Sequence, residues 1–496
     1  MKQQFFVRAA LWVLCALMLI GAVACQGEPG KDGQNTQAET AFPTGETVTD
    51  AVAEEPLPER DMGQFELTFL NYTDAAHGWS VKTLVTDDIS ESINHAIYAR
   101  NARVETKYNA VLREIETDNM TLVLQTSAMA GMDENSDFQV AMIFDEKVNG
   151  YYVNGYLTTW DRIPYCDFGQ AWWNGEACEL FSYRGKQFGA VGDFSLSMYS
   201  KDYCYFFNKN LYATIAGSED LYELVRNKEW TLEKMIEIGE RYTRDLNGDG
   251  LWYDGSDQYG IAGTVKVHYQ LVMSGSGLKL INIDRDGNPY FGLYNQTSVL
   301  KLMRLIDLFN STNAYYNSNP GNPTGGSIPD VFMAGRNLFF SATIHIMATT
   351  FKDAEFPVGI MPAPMYDADQ GRYYSVAIGG EIACLPRLIR EEDTENTGIL
   401  LEAMSYYSHD TLVPAYRERT VKTRYAESYE DSEMLQLIFD TTVLDLGTTI
   451  WNNDVRAPIM RDLFAELNSS VASYIKAMAP KVEAAIEKSM TADVTD

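Results

Sequence analysis

The sequence predicts an α/β protein built as two lobes. Three observations carry this. Between residues 64 and 147, strand patterns alternate with helical ones in the order strand, helix, strand, helix, strand. That order belongs to a mostly parallel sheet with helices on both faces. The 496 residues are too many for one simple core and enough for two. With 46% hydrophobic and 12% aromatic residues, the chain can fill large cores.

In order along the chain, residues 64–72 carry Phe65, Leu67, Phe69 and Leu70 and read as a first buried strand. Asp88, with Glu91 three residues later, is a cap signal for a helix whose Ile93, Ile97, Val104 and Tyr108 share one face. A strand at 110–115, a helix at 120–130 and a strand at 138–144 follow, the last running into Asp145-Glu146-Lys147. In such sheets ligands bind beyond the carboxyl ends of strands, which places 74–79 and 144–147 near a cleft. Strands are expected at 183–190, 203–207 and 259–263. A helix is expected at 231–244, with Thr231 as cap and Met235, Ile238 and Tyr242 inward. Residues 281–293 read as a hairpin around Asp284-Arg285-Asp286-Gly287-Asn288, and 299–308 as a helix. A second sheet is expected to begin at 337–344 and 358–361, followed by tail helices at 398–407, 433–439 and 473–490.

The first residues speak to location. A basic start to Arg8, an apolar run over 9–23, then Ala22-Val23-Ala24-Cys25 form a secretory pattern too short for a membrane span. The cysteine makes it resemble a bacterial lipoprotein signal, although Ala22 stands where leucine is usual. That resemblance implies cleavage after residue 24 and lipidation of Cys25. Residues 25–61, rich in Gly, Pro, Thr, Gln and Glu, read as a disordered tether between lipid and body.

The formal net charge of −30 argues against nucleic acid and against an anionic membrane surface as partners. Cys166, Cys178, Cys204 and Cys384 fit no metal pattern. A Cys166–Cys178 disulfide and buried free thiols both fit the spacing.

Several phrases, in this order, resemble the extracellular solute-binding proteins of ABC importers, the maltose-binding-like sugar group. They are Tyr205-Phe206-Phe207-Asn208-Lys209-Asn210-Leu211, Glu229-Trp230-Thr231-Leu232-Glu233-Lys234, Asp245-Leu246-Asn247-Gly248-Asp249-Gly250 with Asp257-Gln258-Tyr259-Gly260, Phe332-Met333-Ala334-Gly335-Arg336, and 356–364. The resemblance implies a two-lobed, type II periplasmic-binding-protein-like fold with an interlobe hinge. One lobe would comprise 62–185 plus 337–385 and the other 186–336 plus 386–496. Gly379-Gly380 sits where a late crossing is expected, and glycine absorbs hinge rotation.

Sugars present apolar C–H faces to aromatic rings and hydroxyl edges to charged and amide groups. The candidate ligand-binding residues are accordingly Asp74, Trp79, Asp145, Trp172, Trp173, Trp252, Tyr269, Glu381 and Trp451. Adjacent tryptophans on an extended chain point oppositely, so one of Trp172 and Trp173 is expected in the cleft and the other in a core. Asp245, Asn247, Asp249, the Leu251 carbonyl and Asp257 suit a structural calcium ion. The twelfth position of that loop is Ser256, not glutamate, so a solvated acidic turn is the other reading.

The resemblance implies a monomeric, lipid-anchored protein on the extracellular face of the membrane. It would capture a carbohydrate, an oligosaccharide in the first instance, and deliver it to ABC permease subunits without covalent chemistry or a required cofactor. The alternatives are a secreted carbohydrate-active hydrolase and a peptide-binding or sensing lipoprotein of the same fold. The sequence carries no HExxH helix, GxSxG elbow or phosphate loop, and its five histidines are scattered.

Overall fold

The computed structural model describes residues 57–76, 81, 83–130, 137–183, 186–215, 217, 219–250, 252, 255–317, 328–422 and 428–491. Cys25, the tether to residue 56, Trp79 and Leu251 lie outside them.

The first sheet forms as expected. Strand Phe65–Tyr72 pairs in parallel with Ala110–Thr117 on one side and with Val140–Phe144 on the other. Its alternation sorts the side chains. Leu67 and Phe69 face one core with Val104, Tyr108 and Leu112, while Leu70 and Tyr72 face another with Leu124 and Ile143. A late strand, Glu381–Pro386, closes the sheet antiparallel to Val140–Phe144, with Glu381 opposite Phe144.

The second sheet is organised on strand Asp202–Asn208, fully buried along its length. Tyr203, Tyr205 and Phe207 enter the largest core, whereas Cys204 and Phe206 face the opposite side with Phe351 and Ile438. Here the structure corrects the expected division. Strands Asn337–Thr343 and Val358–Met361 both pair antiparallel with Asp202–Asn208, so they belong to the second sheet, not the first. Helix Glu391–His409 was expected in the second lobe. Its Ile399, Leu400 and Met404 instead pack with Leu67 and Phe69 of the first. Helix Leu412–Lys422 also joins the first lobe, packing Leu412, Val413 and Tyr416 on Ile93 and Ile97. Helices Tyr429–Thr441 and Val471–Thr491 lie on the second lobe. The chain therefore crosses between lobes three times. The first crossing spans about 191–201, because Ala190 still pairs with Ala383. The second is 378–380, between strands Ser375–Ala377 and Glu381–Pro386. The third lies between helices Leu412–Lys422 and Tyr429–Thr441.

Several local readings hold. Thr231 caps helix Leu232–Tyr242 by accepting from the Lys234 amide at 3.3 Å. The hairpin forms from Ile281–Ile283 and Pro289–Phe291. Others shift. Helix Ser92–Tyr108 starts at Glu91 with no side-chain cap, because Asp88 instead accepts from the Ser90 amide at 2.9 Å. The strand expected over 183–190 reduces to a short hairpin, Ser182–Tyr183 with Lys186–Gln187. Cys166, Cys178, Cys204 and Cys384 are free thiols, so no Cys166–Cys178 bond forms.

Helix Leu232–Tyr242 lies directly on strand Tyr259–Gly263. A Cβ on Gly260 would sit 2.3 Å from the Gly239 backbone. Gly260→Ala is therefore expected to destabilise by about 2 kcal/mol or more in denaturant unfolding.

Candidate functional site

The carboxyl ends of strands Phe65–Tyr72 and Val140–Phe144 point towards the crossings, and charged groups gather there from both lobes. Asp145 is fully buried. One carboxylate oxygen accepts from the Glu146 amide at 2.6 Å and the other from the Gly379 amide at 2.8 Å. Its own amide donates to the Gly380 carbonyl at 3.0 Å. Asp145 thus fastens the first sheet to the second crossing. Gly379 has a φ of +82°, a conformation that glycine adopts without strain. Burial pushes the Asp145 carboxyl up to about 7, against the pull of the two amides and of Arg456.

Lys201 ends the first crossing as the last residue of a 3-10 turn, and Tyr203 is the second residue of the central strand that follows. Both are buried. Desolvation brings the Lys201 ammonium down to about 8, opposed by the negative charges of Glu381 and Asp145. Glu381 is buried, and its amide donates to the Ser197 hydroxyl at 2.8 Å.

The second lobe supplies a π-helical turn, Asn452–Arg456. Such turns widen a helix locally and recur at functional sites. Asn452 reaches across the lobes and donates to Glu146 at 2.9 Å. Arg456 donates through Nη2 to the Lys266 carbonyl at 2.9 Å. Its Nε is buried with no hydrogen-bond partner. Burial pushes the Tyr203 phenol up, against the pull of the Arg456 charge. The lobes also touch where Asn149 donates to Ser489 at 3.1 Å. The result is a buried cluster of acids and bases drawn from both lobes, in which the Arg456 Nε lacks a hydrogen-bond partner.

The structure brings Asp145 and Glu381 together, since Glu381 pairs with Phe144 next to Asp145. Asp74 sits exposed on the turn after the first strand, and further along the Val81 amide donates to Ser200 of the first crossing at 3.2 Å. The aromatic candidates are held mainly by packing. Trp173 packs in the first lobe's core and also lines a cavity with Asp202 and Leu444 of the second lobe, whereas Trp172 does not reach that cavity. Their indole N–H groups donate to the same carboxylate, Glu402, at 2.7 and 2.6 Å. Trp173 is packed edge-on against Trp160, Phe168 and Phe194, and Trp172 against Tyr406. Tyr269 is enclosed by His268, Phe309 and Phe464. Trp252 packs with the core on the opposite face of the second sheet. Trp451 is buried and donates to Ser489 at 3.1 Å, although it directly precedes the π-turn. Sequence reasoning missed Lys201, Tyr203, Asn452, Arg456 and Glu402. The available signal was a lysine and an aspartate opening an otherwise apolar strand, and an arginine beside the Trp451 candidate.

The loop at 245–257 is knit by its own polar groups. Asp245 accepts from the Gly248 and Gly250 amides at 2.6 and 3.0 Å, and Asn247 donates to Asp249 at 2.8 Å. Asp257 is fully buried. One oxygen accepts from the Leu246 amide at 2.8 Å and the other has no partner. No group of three or more His, Cys, Asp or Glu side chains suited to a metal occurs among the described residues.

Asp202 points to the other side of the central strand from Tyr203. Burial pushes its carboxyl up to about 7, and the Thr442 hydroxyl that donates to it only partly offsets this. The folded state keeps this proton where the unfolded chain, with an ordinary aspartate value, has lost it. The contribution is fully present below the ordinary value and is lost as pH rises towards 7. Asp202→Asn is expected to shrink the fall in melting temperature between pH 5 and pH 8 by roughly 3 °C or more, measured by calorimetry.

No protein-family model and no curated protein sequence matches the chain. Solved structures do. A cyclic α-maltosyl-1,6-maltose binding protein from Arthrobacter globiformis is 15% identical, with a TM-score of 0.55 over 86% of this chain and 100% of its own. UgpB from Mycobacterium tuberculosis, in complex with glycerophosphocholine, is 11% identical, with a TM-score of 0.54 over 86% and 99%. An ABC transporter solute binding protein from Thermotoga lettingae, bound with α-D-tagatose, is 15% identical, with a TM-score of 0.51 over 85% and 100%. What these share with the chain is the fold, which is the type II periplasmic-binding-protein arrangement of two α/β lobes.

Proposed function

We propose that the protein captures a carbohydrate between its lobes, holds it without chemical change and delivers it to an ABC permease. The observation that carries this reading is the buried floor of Asp145, Lys201, Glu381 and Arg456 at the sheet ends. It offers donors and acceptors together and is drawn from both lobes and two crossings. Hydroxyl groups both donate and accept, so a polyhydroxylated ligand satisfies such a floor without adding charge. The buried Arg456 Nε–H has no hydrogen-bond partner in the protein, and a ligand hydroxyl would satisfy it. Closing the lobes over it removes water and strengthens each polar contact.

In this reading Cys25 carries the lipid, residues 25–61 are the leash, and the body works as a monomer outside the cell. No helix among the described residues is long and apolar enough to cross a membrane. The test is a thermal-shift screen of the full-length protein in detergent against maltotetraose, tagatose, glycerophosphocholine and short peptides. A ligand that binds only the folded state raises the melting temperature. A sugar-specific rise with the sugar recovered intact supports capture. Recovery of cleaved sugar would replace it with hydrolysis, and a peptide-only response would replace the ligand class.

We also propose that the 245–257 loop holds a structural hard cation through Asp245, Asn247, Asp249, the Leu251 carbonyl and Asp257. The support is the buried, unpartnered carboxylate oxygen of Asp257. Calcium is expected to raise the melting temperature and Asp257→Asn to abolish that rise. An equal rise in the variant would remove the proposal.

A further inference from the structure

Glu146 and Asn149, three residues apart, share a face of helix Asp145–Val153 in the first lobe. Both reach the second lobe. Glu146 accepts from Asn452 of the π-turn at 2.9 Å, and Asn149 donates to Ser489 of helix Val471–Thr491 at 3.1 Å. The second-lobe side of this seam is braced. Trp451, just before the π-turn, donates to the same Ser489 hydroxyl at 3.1 Å, and that hydroxyl donates to the Ala485 carbonyl at 3.2 Å. Trp451 and Ser489 are both buried. Beside these polar groups, Val148 and Tyr152 of the first-lobe helix belong to one continuous apolar cluster with Trp451, Val455 and Ile486 of the second lobe.

Every bond of the seam joins protein to protein, so it needs no third group to bridge the lobes. Its place makes it sensitive to hinge motion. Asn149 stands about 6 Å along its helix from Asp145, whose amide is fixed to the Gly380 carbonyl in the second crossing. An opening rotation about that crossing carries Asn149 away from Ser489, and a hydrogen bond is lost once its atoms part beyond about 3.5 Å. The seam is therefore made only with the lobes together.

We propose that this seam is a latch that holds the two lobes closed before any ligand arrives. The closed arrangement predominates in the free protein, and the cleft is entered from an open minority. The latch is made in the closed state whether or not a sugar is enclosed. It therefore slows capture and release alike and leaves affinity unaltered. That consequence rests on the carbohydrate reading, whereas the latch itself rests on the fold alone.

The test is the distance between the lobes in the full-length protein in detergent, with no sugar added, read by double electron–electron resonance. Nitroxides are attached through a ketone-bearing amino acid at Leu122 of helix Met120–Met129 and at Lys476 of helix Val471–Thr491, both exposed, which leaves the native thiols unlabelled. The expected result is one predominant distance, that of this structure. Asn149→Ala is expected to raise the ratio of a longer distance to this one by about tenfold, and Asn149→Ala combined with Asn452→Ala by more, because each removes one bond across the lobes. Ser489→Ala removes the Asn149 bond from its other side and keeps the test open if the first variant fails to fold. Asn154→Ala removes only a bond to the Gly150 carbonyl at the end of the same helix, and is expected to change nothing. A free protein whose predominant distance is the longer one overturns the proposal, whatever the sugar screen returns. So does an unchanged distribution in both Asn149→Ala and Ser489→Ala, or an Asn154→Ala protein that opens as far as they do.

Discussion

Arg456→Ala is expected to lower the affinity for the captured sugar by about 100-fold, with the lobes still folded. Arg456 is the one strong donor of the floor whose Nε has no protein partner. It stands on a π-turn whose neighbour, Asn452, already bridges to Glu146 of the other lobe. Truncating a buried, hydrogen-bonded charge in an interface ordinarily costs about 2–5 kcal/mol, which brackets that factor. The substitution also removes the positive charge of Arg456 that pulls on Asp145, which pushes the already raised Asp145 carboxyl higher. Arg456→Lys keeps the charge but loses the planar fork, so it is expected to recover only part of the affinity. Titration calorimetry with the sugar found in the screen reads both variants. Unchanged affinity in Arg456→Ala would move the ligand away from this floor.

The second large effect is on stability. Glu402→Ala is expected to cost about 3–5 kcal/mol, because one carboxylate satisfies three donors: both indoles of Trp172 and Trp173 and the Asp167 amide. Each buried donor left without a partner costs roughly 1–3 kcal/mol. Burial pushes the Glu402 carboxyl up, and the indole hydrogen bonds pull it back, so the site is held by those bonds and not by a counter-charge. Glu402→Gln keeps one acceptor but turns an N–H donor towards an indole N–H. It is expected to fall between wild type and alanine in denaturant unfolding. Sugar affinity should be unaffected in both, since these rings serve the first lobe's core. A Glu402→Ala protein as stable as wild type would remove this account of the tryptophan pair.

These two residues also show what the sequence could and could not reveal. Strand and helix positions were legible wherever periodicity was strong, as in Asp202–Asn208 and Leu232–Tyr242. The lobe membership of 337–361 was not, because an apolar strand fits either sheet by pattern. Its place was settled by register, with Phe339 opposite Phe207. Trp172 and Trp173 looked like cleft aromatics because their partner lies about 230 residues further on, in a helix whose lobe was itself misplaced. Asp145 was singled out by a rule about strand ends and Glu381 by its place beside Gly379-Gly380, and the structure sets the two side by side through the Phe144–Glu381 pairing. Lys201 and Arg456 obey no such rule. Each is polar in an apolar setting, and only three-dimensional proximity gives that meaning.

The central claim is capture between the lobes, and a hydrogen-exchange footprint of the bound sugar tests it most directly. The account predicts slowed exchange on sugar binding at 145–146, 201–203, 379–381 and 452–456 together, with helix Tyr429–Thr441 behind the crossings unchanged. Protection confined to one lobe, or absent from the 452–456 turn, would contradict it.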